Sequence, residues 1–197
     1  MLLALHIPDG FLPPGLSLVG WLLALGPLAW ALRAAGSQLE DRTLPRMGLL
    51  ACFVLVAQGL QVPLPGGTSA HLQGSALTAL ALGAAPSMVV LTTVIAIQAL
   101  VLGDGGLLTM GWNLVNMAIL GALSASLVFR LQAIPYAPRV LLACFVSVQV
   151  STLATCFELA AGGTSPLKVA LWMLAPQALV AVGEGIVTLA ALRVLRV

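Results

Sequence analysis

Seven apolar runs, each cut off by proline, glycine or a basic cluster, make up most of this chain: residues 16–32, 47–62, 72–84, 87–102, 112–129, 140–161 and 169–192. Runs of this length leave few folds open. A hydrocarbon layer about 30 Å thick is crossed by roughly 17–25 apolar residues wound as a helix. A helix also satisfies its own backbone hydrogen bonds where no water can. Only 7% of the residues are charged and 60% are hydrophobic, against about 25% charged in a soluble domain. The chain therefore has too little polar surface to face water. The expectation is an all-α polytopic integral membrane protein with about seven transmembrane helices. The third run is short, a partial span, and the last is long enough to tilt. One transmembrane domain over residues 1–197 suits this length, with residues 1–15 as an outer segment and 16–194 as the helical bundle.

The breaks carry loop chemistry. Pro63, Pro65 and Gly66-Gly67 end the second run, Ala85-Pro86 marks a tight turn, Gly103-Asp104-Gly105-Gly106 ends the fourth, and Gly162-Gly163 ends the sixth. Basic residues set the orientation, because Lys and Arg accumulate on the cytoplasmic side. Arg33, Arg42, Arg46, Arg130, Arg139, Arg193 and Arg196 fall on one side of a seven-span arrangement and Lys168 alone on the other. Six or eight spans would scatter them. The amino terminus is therefore expected outside and the carboxyl terminus in the cytoplasm.

Several classes are excluded. A net charge of +2 gives no clustered basic surface for nucleic acid. Cys52, Cys144 and Cys156 lie in apolar runs without a CxxC pair, so they read as small buried hydrophobes. No phosphate-binding loop is present, so an ATP-driven role needs another subunit. No cleavable leader is expected, since no basic residue precedes His6 and Pro8 interrupts the first apolar stretch.

The seven-span arrangement gathers the polar residues of interest at the outer end. His6 and His71, the only two histidines, are candidate metal ligands, since neutral imidazole is the commonest metal-binding side chain. The alternative is that each caps a loop or sits at the headgroup level. Thr68 or Ser69 is placed to cap the helix that follows. His71 would then sit in its first turn, where the positive helix end favours a neutral ring. Asn113 and Asn116, three apart on one face, either support an outer pocket or bond a neighbouring helix. Asp9 ties the turn among Pro8, Pro13 and Pro14. Glu184 lies deep in the last run, where an ionisable group is costly, and is either a relay or a paired structural glutamate. Gln58, Gln98, Gln149 and Gln177 read as links between helices. Ser75, Ala79 and Gly83 form a small-residue face for close helix packing. From the residues alone, a subunit with a non-metal or structural role stays open beside a metal carrier. An intramembrane enzyme using Glu184 or Asp104 has no paired catalytic groups to support it.

Five motifs then occur in order: HIPDG at residues 6–10, PGGTSAHLQG at 65–74, GDGGL at 103–107, NMAILG at 116–121 and GTSPL at 163–167. In these the chain resembles the CbiM/NikM family, the substrate-binding (S) components of energy-coupling-factor (ECF) transporters for cobalt and nickel. The resemblance implies import of Co²⁺ or Ni²⁺ across the plasma membrane of a bacterium or archaeon. It implies no resident cofactor and no enzymatic activity of the chain's own. It also implies partners: a transmembrane coupling protein, two ABC-type ATPases and a small auxiliary membrane subunit. Family chains begin Met-His, and the terminal amine, the histidine amide nitrogen, its imidazole and the histidine of the GTSxH loop hold the ion. Carried over, the ligands are His6 and His71, with Leu5 supplying the amine if it is the true start. Four nitrogens in a plane suit nickel and copper, with cobalt close in the series. In this sequence Met1 to Ala4 precede Leu5-His6. Either Leu5 is the initiator, or this branch binds its substrate differently. Gln177 stands where the family often has a histidine.

Overall fold

A computed structural model describes residues 5–37, 43–64 and 68–195. Of the residues singled out in the sequence, 1–4, Arg42, 65–67 and Arg196 lie outside them. The described chain is almost wholly helical: α1 (Pro14–Gly36), α2 (Thr43–Gly59), α3 (Ser75–Leu82), α4 (Ala84–Leu102), α5 (Met110–Phe129), α6 (Tyr136–Ala161) and α7 (Pro166–Leu195). Each apolar run corresponds to one helix. Five of them are long and apolar enough to cross a membrane: α1, α4, α5, α6 and residues Met173–Leu195 of α7. Proline opens α1 and α7, where its missing N–H costs nothing and its fixed φ suits the first turn.

The distribution of polarity is inverted relative to a soluble protein. Leu22, Val56, Leu100, Phe157, Leu179 and Val194 face outward, while Gln58, Gln73, Ser75, Thr78, Ser147, Ser151, Thr155 and Glu184 are buried among the helices. This suits a lipid surround, in which apolar side chains lose nothing outside and polar ones must find partners inside.

Two departures from the sequence expectation shape the site. First, the stretch between α2 and α3 is not a plain loop. Val62–Leu64 (β1) pairs antiparallel with Thr68–Ala70 (β2), in the register Val62↔Ala70, Pro63↔Ser69, Leu64↔Thr68. Second, the third run does not become helical at residue 72. Residues 71–74 run extended, and α3 begins only at Ser75. Gly74 is the cause. Its φ of +77° stops the helix there, and a Cβ would lie 2.6 Å from the Val54 side chain, so no other residue fits. Thr68 and Ser69 therefore do not cap this helix. They lie in β2, several residues upstream, and Gly74 stands at the helix start.

Contacts at the helix ends show how the elements run. Gln61, just past α2, donates to Asp104, just past α4, at 2.7 Å, so α2 and α4 finish at one end of the bundle. Trp112 at the start of α5 donates to the Leu16 carbonyl at the start of α1, at 2.8 Å. Glu158 near the end of α6 accepts from Asn116 at 2.8 Å. The amino-terminal segment, the β hairpin, the 103–109 loop and the end of α6 thus share one end. Because α2 and α4 end together, the chain between them must return to the far end. It does so through the extended residues 71–74 and the eight-residue α3, which is about 12 Å long.

α5 is widened into π-helical turns over Leu114–Gly121, a form that often marks functional segments. The three main-chain carbonyls of Asn116, Met117 and Gly121 accept hydroxyl hydrogen bonds from Ser151 (2.7 Å), Ser75 (2.8 Å) and Ser147 (2.9 Å) respectively. Serines on α3 and α6 thus satisfy backbone groups on α5. The small face at Ser75 and Ala79 is accordingly an internal contact.

Candidate metal site

The amino-terminal segment does not lie on the surface. Leu5, His6 and Ile7 are buried, because three residues of the 103–109 loop and α5 hold the main chain of Ile7. Its N–H donates to Asn113 Oδ1 at 2.8 Å. Its carbonyl accepts from Thr109 Oγ1 at 2.6 Å, from the Gly106 N–H at 3.0 Å and from Asn113 Nδ2 at 3.2 Å. Two residues on, the Asp9 carboxylate accepts from the N–H groups of Leu107 and Leu108, each at 2.9 Å, and of Thr109 at 3.1 Å. Asp9 is spent on the turn that precedes α5, so its role is to fasten the segment. Asn113 does the same from inside the helix.

Held in this way, His6 meets His71. The ring centroids are 5.2 Å apart and the planes are inclined at 42°. His71 Nδ1 lies 3.0 Å from the Leu72 carbonyl. A carbonyl accepts only, so Nδ1 carries the proton and Nε2 presents its lone pair. Among the described residues, His71 Nε2 and both ring nitrogens of His6 have no hydrogen-bond partner. Buried polar atoms are nearly always paired, so two adjacent rings with three unpartnered nitrogens among the described residues mark a place for a ligand. Burial holds His6 well below its ordinary pKa of 6.5, and the neighbouring His71 lowers it further. Burial also lowers His71, against opposing effects from the Leu72 carbonyl and the negative charge of Asp104. Both rings are neutral at physiological pH, the form a metal needs. For His71 the cause is burial and not the field of a helix end, since the residue precedes α3 by four positions.

Beside His6 lies a cavity of about 340 Å³, walled by Gly59, Gln61, Gln98, Asp104 and Gly105. Its polar rim is braced by a chain in which Ser69 donates to Gln61 (3.2 Å) and Gln61 donates to Asp104 (2.7 Å). A larger groove of about 650 Å³ opens sideways between α2 and α7 and is almost wholly apolar, with His71 on its inner wall. Among the described residues no three of His, Cys, Asp and Glu come together.

The chain matches the family model described as CbiM, cobalt uptake substrate-specific transmembrane region, over residues 6–197. It belongs to the CbiM family. It is 37% identical over 161 residues to a putative cobalt transport protein CbiM of Methanosphaerula palustris, covering 79% of this chain and 68% of that protein. It is 41% identical over 127 residues to a putative metal transport protein of Haloquadratum walsbyi, covering 64% of this chain and 58% of the relative. A solved structure described as a truncated transition metal transporter superposes with a TM-score of 0.89 at 27% identity, covering 97% of this chain and 98% of the other. The chain is thus a multi-pass membrane protein of a cobalt-uptake family.

In this CbiM-family chain the remaining candidates lie away from the two rings. Asn116 donates to Thr155 (3.1 Å) and Glu158 (2.8 Å), joining α5 to α6. Ser69 serves the rim through Gln61, and Thr68 pairs in the hairpin. Glu184 accepts from the N–H groups of Gln73 (2.7 Å) and Gly74 (3.1 Å). Its carboxylate thus occupies the place of the missing cap at the start of α3. The cavity also holds residues that the sequence did not single out as part of a site. Gln61 and Asp104 bracket it, and Gln98 lines it with its whole carboxamide unpartnered among the described residues. Position was the available signal: Gln98 precedes the GDGGL motif by five residues, at the same end as both histidines.

Proposed function

We propose that this protein is the substrate-capture component of an ECF-type importer, taking Co²⁺ or Ni²⁺ from outside the cell and releasing it to the cytoplasm. The observation that carries the reading is the adjacent pair of buried, neutral imidazoles with three nitrogens unpartnered among the described residues. Neutral imidazole pairs suit late first-row dications over magnesium or calcium, which prefer oxygen. His71 Nε2 and one nitrogen of His6 supply two donors. The amide of His6 and a terminal amine at residue 5 complete a planar set if translation starts at Leu5, read as methionine. A methionine there has nearly the volume of leucine and fits the same buried slot with little strain. Seven crossings, with the histidine end outside, agree with the alternating helix directions and with the seven-to-one division of basic residues. Energy comes from a coupling protein and two ATPases, with a small auxiliary membrane subunit.

The test is metal titration of purified protein made in two lengths, starting at Met1 and at Leu5 as methionine, each with and without His71→Ala. Binding of Co²⁺ or Ni²⁺ that His71→Ala abolishes supports the reading. If neither length binds either ion, the metal reading fails. If both lengths bind equally, the terminal amine is not a ligand. Cysteine labelling in intact cells then checks orientation: position 107, exposed in the loop at the histidine end, should react from outside and position 139 only from within.

A further inference from the structure

The cavity beside His6 contains a residue that the fold does not use. Gln98 is fully buried, and neither its Oε1 nor its Nε2 has a partner among the described residues. Its main chain is fully committed. α4 widens into a π-helical turn at Gln98–Leu102, and the Gln98 carbonyl accepts the N–H groups of Gly103 and of Asp104, the latter at 3.0 Å. The backbone thus clasps the GDGGL loop, while the side chain projects into the cavity it shares with His6. A buried carboxamide with no hydrogen bond is destabilising. Leucine or methionine would suit the frame better, so the amide is kept for something that arrives.

The imidazole of His6 needs such a group. Whichever of its nitrogens takes an ion, the other carries a proton and requires an acceptor. Metal-bound histidines almost always have one, and it fixes their tautomer and orientation. Within the cavity, Asp104 Oδ2 accepts from Gln61 and Gln61 Oε1 accepts from Ser69, so these two side chains are held at the rim by bonds within the fold, whereas Gln98 has no such bond among the described residues. The unpartnered carboxamide in the cavity is Gln98.

We propose that Gln98 is a positioning residue of the metal site, whose side-chain carbonyl accepts the N–H of the His6 nitrogen that does not bind the ion. The inference rests on the reading of the histidine pair as a Co²⁺ or Ni²⁺ site. It adds a group that touches no metal and sets the orientation of a ligand that does.

The experiment compares parent, Gln98→Met and Gln98→Glu in the form that binds metal, by titration with Co²⁺ and Ni²⁺ and by melting in detergent without metal. Methionine keeps the length and removes both hydrogen-bonding groups. Glutamate keeps an acceptor. The expected result is affinity lower by 10- to 100-fold in Gln98→Met, within threefold of the parent in Gln98→Glu, and a metal-free melting temperature of Gln98→Met equal to or above the parent's. A residue that only builds the frame would give the reverse: a lowered melting temperature and little change in affinity. If the parent binds and Gln98→Met binds as tightly, the positioning role is wrong. If Gln98→Met loses stability together with affinity, Gln98 is structural. A parent that binds neither ion overturns the metal reading itself, and this role with it.

Discussion

Removing the Glu184 carboxylate should unfasten the start of α3. In Glu184→Ala, the N–H groups of Gln73 and Gly74 lose acceptors at 2.7 and 3.1 Å. Both groups are buried, and the extended residues 71–74 offer no intrahelical substitute. Hydrogen bonds to a charged acceptor contribute about 1.5–3 kcal/mol each, so two of them give a loss of roughly 3–6 kcal/mol. An ordinary side-chain bond between helices in a bilayer averages only about 0.6 kcal/mol, because the unfolded reference state finds other partners; two of those give a loss of about 1 kcal/mol. At this chain length 1 kcal/mol shifts Tm by about 2–4 °C. The cap therefore predicts a fall of at least about 6 °C, and ordinary helix contacts a fall of about 2–4 °C. Glu184→Gln keeps one accepting oxygen and should fall between the parent and Glu184→Ala. Melting of the three proteins in one detergent, followed by tryptophan emission, decides. The same change should weaken metal binding, since His71 precedes Gln73 by two residues. A Glu184→Ala protein melting within 2 °C of the parent would refute the capping role.

Three further outcomes are expected. Asp9→Ala frees three N–H groups before α5 and should weaken metal binding about tenfold, as changes behind the ligands commonly do, while Asp9→Asn recovers most of it; equal titration curves for all three proteins would contradict the fastening role. Gly111→Leu places a side chain against the main chain of Trp21 in α1, which cannot give way as a flexible side chain does, so the protein should lose its single sharp peak in size-exclusion chromatography. The third outcome concerns pH. His6 and His71 titrate below 6.5 when folded, so below that pH the unfolded chain binds more protons. The contribution of the two histidines to the stability of the metal-free protein is then constant above about pH 6.5 and falls with pH from 6.5 down to the folded values; the difference between the parent and a double His6→Ala, His71→Ala variant should show this dependence in melts between pH 7.5 and 5.5.

The membrane, the helical class and the gathering of both histidines at one end were legible before any coordinates. All three are sums over single residues: apolar runs of spanning length, scarce charge, and a basic bias that alternates from loop to loop. The fastening role of Asp9 was also within reach, because a short acidic side chain among prolines has few uses other than a turn. The helix beginning at residue 72 was not read correctly, since apolarity marks how far a run extends and not where the backbone remains helical. Gly74 and a glutamate 110 positions away decide that.

Only the tertiary structure settled what each buried polar group serves. Asn113 and Asn116 share a face and a residue type, yet one grips Ile7, 106 positions away, and the other joins Glu158, 42 positions away. Glu184 looked equally suited to a relay and to a structural pair, and the packing of α3 places its carboxylate against the N–H groups of Gln73 and Gly74. Gln58 and Gln98 look alike as polar breaks in apolar runs, but Gln58 donates to the Gln73 carbonyl at 2.7 Å while Gln98, in the cavity beside His6, has no partner among the described residues. The physical reason is common to these cases. Hydrophobic burial is non-directional and can be read from composition and spacing. A hydrogen bond depends on distance and angle between particular atoms, and for residues a hundred positions apart those are set by how the helices pack.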